Sequence, residues 1–91
     1  YVYTIKEKIV GFVGLDNNYI EGIFVDTNNQ ENGIGTALLN KVKESRDILE
    51  LSVYKKNTNA ISFYKKNGFV IESENIDNDT KEIEYTMIWK K

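Results

Sequence analysis

Residues 30–41 read QENGIGTALLNK. Two glycines, Gly33 and Gly35, stand one residue apart, and a row of good helix formers follows at once. The first N–H groups of a helix lack intrahelical partners and carry the positive end of its dipole, so a glycine-flanked helix start can hold an anion. The same glycines can equally do no more than turn the chain into the helix. Two familiar phosphate motifs are excluded. A dinucleotide fingerprint needs a third small residue where Leu38 stands, and a P-loop needs a Lys between Gly35 and Thr36. Gln30 and Asn32 are candidate side-chain donors to such a site.

Upstream, residues 1–5, 9–15 and 19–25 are rich in β-branched and aromatic residues. Lys6-Glu7-Lys8 and Asp16-Asn17-Asn18 separate them, which predicts three hairpin-connected strands. The second is apolar on both faces and reads as a central strand. Gly22, inside the third, signals a bulge or a close backbone approach. Downstream, residues 33–46 take a helical period with Ile34, Ala37, Leu38 and Val42 on one stripe. A fourth strand over residues 48–54 leads to a second helix, capped by Asn57 or Thr58, whose apolar stripe is Ala60, Ile61, Phe63 and Tyr64. Gly68 falls where a left-handed residue ends a helix. Strands follow over residues 69–73 and 82–89, the last with Ile83, Tyr85, Met87 and Trp89 on one side. The order is βββ-α-β-α-ββ. Its strand–helix–strand crossover requires a parallel pair, so the expected fold is α+β with a mixed, mostly antiparallel sheet and two helices.

Ninety-one residues make a single domain over 1–91, and 41% apolar content gives it one core. A net charge of −2, with Lys and Arg scattered among the acids, argues against nucleic-acid and anionic-membrane partners. The chain has no cysteine and no histidine, which removes the thiolate nucleophile, the commonest general base and the commonest metal ligands. No metal is expected. Asp77 and Asp79 lack the glycine of a calcium loop and read as a turn. With neither a signal-peptide profile nor a long apolar stretch, the expected location is cytoplasmic.

Two segments together carry a family resemblance. QENGIG (residues 30–35) resembles the Q/R-x-x-G-x-G/A signature of the GNAT acyltransferases, and NTNAISFYKKNGF (residues 57–69) resembles their second signature. Both follow strands in the order that family has them, and the likeness covers residues 1–91. It implies acetyl-CoA as cosubstrate, with the pyrophosphate on the backbone of Gln30, Glu31, Asn32, Gly33, Ile34, Gly35 and Thr36. It further implies that the strand bearing Ile23, Phe24 and Val25 splays from its neighbour and pairs with the pantetheine arm, which Asn57 would also contact. Tyr64 would protonate the departing thiolate. Members of the family usually begin with a further strand and helices that build the acceptor side. Their absence from these residues predicts an uncovered sheet face and a tendency to form a homodimer.

Acetyl transfer to a primary amine needs a deprotonated amine, stabilisation of the carbonyl oxygen and a proton for sulfur. Tyr64 suits the last need, although at helical spacing it also reads as a core aromatic. The backbone N–H of Phe24 or Val25 suits the second. Glu21 is the candidate base, being the carboxylate on the strand before the glycine loop. Simple alternation would put it on one face with Tyr19, Ile23 and Val25, half-buried, against the reading of a solvent-facing strand Glu. A non-catalytic acyl-CoA-binding domain and an assembly module without CoA remain as alternative readings.

Overall fold

The computed structural model describes residues 1–26 and 33–91. Its elements are β1 (Val2–Ile5), β2 (Lys8–Asp16), β3 (Tyr19–Val25), α1 (Ile34–Lys43), β4 (Ile48–Tyr54), α2 (Thr58–Lys66), β5 (Val70–Ile76) and β6 (Ile83–Lys90). The order is the one expected. The strands form one six-stranded sheet, β1-β2-β3-β4-β6-β5, in which β3 and β4 are parallel and the other neighbours antiparallel.

Local chemistry explains most of the boundaries. Lys6 and Glu7 both take positive φ (50° and 66°), as the tight hairpin between β1 and β2 requires. Helix α1 stops at Lys43, short of the expected Arg46, because Glu44, Ser45 and Arg46 donate to carbonyls three residues back and tighten the last turn. Leu39, fully buried, joins its apolar stripe, whereas Ala37 is half-buried. Strand β5 starts one residue later than expected and runs on to Ile76 because it pairs with β6 along its length.

One face of the sheet carries both helices. Gly11, Val13, Leu51 and Met87 from the sheet meet Ile34, Leu38, Leu39 and Val42 of α1, with Phe69 closing the core. Burying each such large side chain contributes about 1.5–3 kcal/mol. No residue of α2 is fully buried; Ala60, Ile61, Phe63 and Tyr64 pack partly against the core. Strand β2 is central, as expected, yet its second face meets solvent: Ile9, Phe12 and, beside them, Phe24 are 58%, 43% and 59% exposed. No helix among the described residues is long and apolar enough to cross a membrane.

Two features of the sheet shape the site. Strands β3 and β4 meet at a single register pair, Tyr19 with Glu50, held by Glu50 N–H donating to the Asn18 carbonyl at 2.9 Å, and then part. The register between β2 and β3 also slips between Gly14 and Leu15, leaving Glu21 as the extra residue of a bulge.

Candidate functional site

The start of α1 is open. Gly33 is its N-cap in the left-handed conformation (φ 73°, ψ 15°), no side chain caps the helix, and no acid sits in the first turn. Ala37 N–H donates to the Gly33 carbonyl at 3.0 Å, so the N–H groups of Ile34, Gly35 and Thr36 precede the first intrahelical bond. The two glycines do different things. A Cβ on Gly33 would meet no atom within 4 Å, so this position leaves room for a ligand while turning the corner. A Cβ on Gly35 would lie 3.0 Å from the Phe63 ring, so that glycine lets α2 approach α1. The expected contacts of Gln30, Glu31 and Asn32 lie outside the described residues.

Between the start of α1, the end of β3 and the flank of α2 lies a cleft of about 510 Å³, lined by Ile23, Val25, Thr36, Phe63 and Tyr64 among others. A second cleft of about 360 Å³ occupies the space where β3 and β4 part, and shares Ile23, Ala60 and Tyr64 with the first. The two form one passage around Tyr64.

The second helix is built to aim that tyrosine. Asn57 caps it, its side-chain oxygen accepting from Ala60 N–H at 3.2 Å. Asn57 also lines the second cleft. At the other end, Gly68 is left-handed (φ 92°), its N–H donates to the Lys65 carbonyl at 3.1 Å, and Phe69 N–H donates to the Tyr64 carbonyl at 3.0 Å. This is a Schellman close, with the expected apolar contact between its ends: the Tyr64 and Phe69 rings meet edge-on at 5.6 Å. Lys43 of α1 donates to the Asn67 carbonyl and stands over the Trp89 ring at 5.1 Å, tying the two helices together. Burial holds its pKa below the usual lysine value. Tyr64 is half-buried, its hydroxyl makes no hydrogen bond among the described residues, and burial raises its pKa above the ordinary phenol value, so it keeps its proton.

Glu21 is not where simple alternation would put it. The bulge leaves Ile20, Ile23 and Val25 on the helix side, while Glu21 stays with Tyr19 on the opposite face, exposed and outside both clefts. The half-buried setting expected for it is therefore corrected: an extra residue in one strand shifts every later side chain to the other face. The structure instead brings Ser52 and Tyr54 of β4 and Glu84 of β6 to the second cleft. Sequence reading gave these no role, since Glu84 reaches the cleft only through cross-strand pairing with Tyr54. Among the described residues no acidic cluster is arranged to hold a metal ion.

The family model of the acetyltransferase (GNAT) domain matches residues 1–71. The chain belongs to the GNAT acetyltransferase family. It is 41% identical to an uncharacterized N-acetyltransferase of Methanocaldococcus jannaschii, with 76% of this chain and 38% of that protein covered. It is 32% identical to YiaC, a peptidyl-lysine N-acetyltransferase of Escherichia coli, with 98% of this chain and 62% of that protein covered. A Bacillus anthracis structure, provisionally assigned as a streptothricin acetyltransferase and solved with acetyl coenzyme A, matches with TM-score 0.89 and 25% identity over 99% of this chain and 60% of that one. The chain thus spans 38% and 62% of the length of the two curated relatives.

Proposed function

We propose that this chain carries the acetyl-CoA site of an N-acetyltransferase that passes the acetyl group directly to a primary amine. The observation that carries the reading is the parting of β3 from β4 beside an uncapped helix start, with Tyr64 between the two clefts. Three features of the chain fit the ligand. Helix N–H groups ahead of the first intrahelical bond and an acid-free first turn suit a pyrophosphate. The edge of β3 at Ile23, which β4 has left, suits the amide groups of a pantetheine arm, whereas the backbone of Phe24 faces β2 and pairs with Phe12. Tyr64, which lines both clefts, suits the sulfur end.

Acetyl-CoA supplies the activated acyl group as a thioester. The chain's own residues bind and orient it, and they move one proton. A backbone N–H on the edge of β3 that β4 has left is the proposed donor to the acetyl oxygen, which lowers the barrier where charge develops; the N–H of Phe24, turned to β2, does not serve. As the amine nitrogen bonds the acyl carbon and the carbon–sulfur bond breaks, Tyr64 gives its proton to sulfur. The amine's own proton goes to water, and through water to Glu21, which the bulge leaves exposed beside Gly22 and outside both clefts. With no cysteine in the chain, direct transfer is the simplest course. The cytoplasmic location belongs to this proposal too. The amine class is supported by the relatives named as peptidyl-lysine N-acetyltransferases.

Calorimetric titration of acetyl-CoA into the wild type and Thr36→Glu tests the donor site. Thr36 is the third residue of α1, where a carboxylate favours the helix by about 0.3–1 kcal/mol. In the same position it repels a pyrophosphate. The expected result is a fold at least as stable, with affinity lowered by about tenfold or more, that is ~1.4 kcal/mol. A carboxylate at Gly35 would be a poorer control, because it would collide with Phe63. Equal affinity in the two proteins would refute the phosphate site. Binding without transfer to any amine would favour the non-catalytic reading, which the exposed position of Glu21 leaves open.

A further inference from the structure

The second cleft has an end that the donor site does not use. Past Tyr64, on the face away from the helices, it is walled by Gly22 and Phe24 on the β3 side and by Ser52 and Tyr54 on the β4 side, with Glu84 behind them on β6. Gly22 has no side chain to fill this space, and the Phe24 ring leans over it: a Cβ there would stand 3.0 Å from the ring. A carboxylate and an aromatic ring thus face one opening.

Glu84 differs from the acids around it. Glu74 pairs with Lys55 at 3.6 Å, Glu82 pairs with Lys56 at 3.3 Å, and Asp77 accepts from the Tyr54 hydroxyl at 2.9 Å. Glu84 is half-buried and its backbone is paired on both sides in the sheet, but its carboxylate makes no hydrogen bond or ion pair among the described residues. A carboxylate partly removed from water without a cationic partner is unfavourable on its own and becomes favourable when a cation arrives. The π-face of Phe24 attracts the same charge.

We infer that Glu84 receives the ammonium group of the acceptor at the far end of the cleft, and so selects a cationic primary amine over uncharged nucleophiles. The inference rests on the transferase reading above and names its acceptor class. Glu84 acts here in recognition. It gathers the charged amine on the side of the sheet opposite the cofactor, and the amine sheds its proton to water before it attacks the acyl carbon.

The experiment compares wild type, Glu84→Gln and Glu84→Ala in three measurements, after thermal unfolding confirms that all are folded. The first is acetyl-CoA affinity by calorimetry. The second is the rate of CoA release with small alkylamines, diamines and lysine peptides. The third is the same rate with hydroxylamine, which is uncharged at neutral pH, after subtraction of the uncatalysed reaction. Loss of one partner of a charge pair should raise KM for the ammonium acceptors by about tenfold or more, and acetyl-CoA affinity should stay within about twofold. KM for hydroxylamine should not move, which a merely structural defect would not spare. An unchanged KM for the charged amines, or equal rises for charged and uncharged acceptors, would overturn the role of Glu84 and leave the transferase standing. Bound acetyl-CoA with no transfer to either acceptor class would overturn the transferase and this inference together. Absence of acetyl-CoA binding would remove the donor site on which both depend.

Discussion

Tyr64 shows how much of a single residue's chemistry is decided by its neighbours. Its ring lies edge-on to Phe63 and Phe69, at 5.3 and 5.6 Å, and its hydroxyl stays without a hydrogen-bond partner among the described residues. A phenol so placed is protonated throughout the neutral range and available to a leaving thiolate. Tyr64→Phe keeps the packing and removes the proton. Single-turnover rates with acetyl-CoA and an active amine should fall by about 10²–10⁴-fold, with acetyl-CoA affinity little changed. The pH dependence has a definite sign. The folded pKa lies above the unfolded value of about 10. Its contribution to stability is therefore level below about pH 10 and is lost as pH rises through the folded pKa. Alkaline denaturation of Tyr64→Phe should begin later than that of the wild type, and equal profiles would contradict the burial of this hydroxyl.

At the scale of elements, the glycines decide where α1 lies. A Cβ on Gly11 of β2 would come within 2.9 Å of the Ile34 methyl carbon and 3.1 Å of the Phe24 carbonyl oxygen. The first turn of α1 thus rests directly on the β2 backbone, and the sheet sets the height of the proposed anion site. Gly11→Ala should cost about 1–3 kcal/mol by overpacking. Because the strain falls on Ile34, acetyl-CoA affinity should drop as well. Chemical denaturation and calorimetry on the same variant check the two parts, and a variant as stable as wild type would show that α1 can rise without loss. The close of α2 follows a different rule: it is made by residues near one another in the chain, and its position was legible from Gly68.

At the scale of the whole molecule, the sheet is dressed on one side. The helices cover one face, while Val2, Ile9, Phe12 and Phe24 stand open on the other, with Phe12 and Phe24 stacked at 4.9 Å. Contiguous apolar surface of this kind promotes association. Sedimentation of these residues alone should show weight-average mass rising with concentration, and Phe12→Lys should suppress the rise. A monomer at all concentrations would remove the homodimer expectation. Nor does the exposed edge strand β5, with Val70, Ile71 and Ile76 all solvent-facing, carry the alternation of a half-buried strand. For that reason its length was the poorest estimate from sequence.

The order of the elements, a cap on α2 at Asn57 or Thr58, the left-handed Gly68 and the one-sided stripe of β6 were determined by the sequence alone. Each depends on residues within a turn or two of one another, where periodicity and capping chemistry act. The two signatures also marked Gly33, Gly35, Asn57 and Tyr64 as the residues around one site, and the structure brings them to one passage. Tertiary structure decided the remainder. That β3 leaves β4 after Tyr19, that a bulge turns Glu21 outward, that Gly35 serves Phe63, and that Glu84 comes to line the second cleft all follow from contacts between elements far apart in the chain. A strand's own residues set which of them alternate, but only its partner sets where the alternation breaks and on which face a carboxylate finally stands.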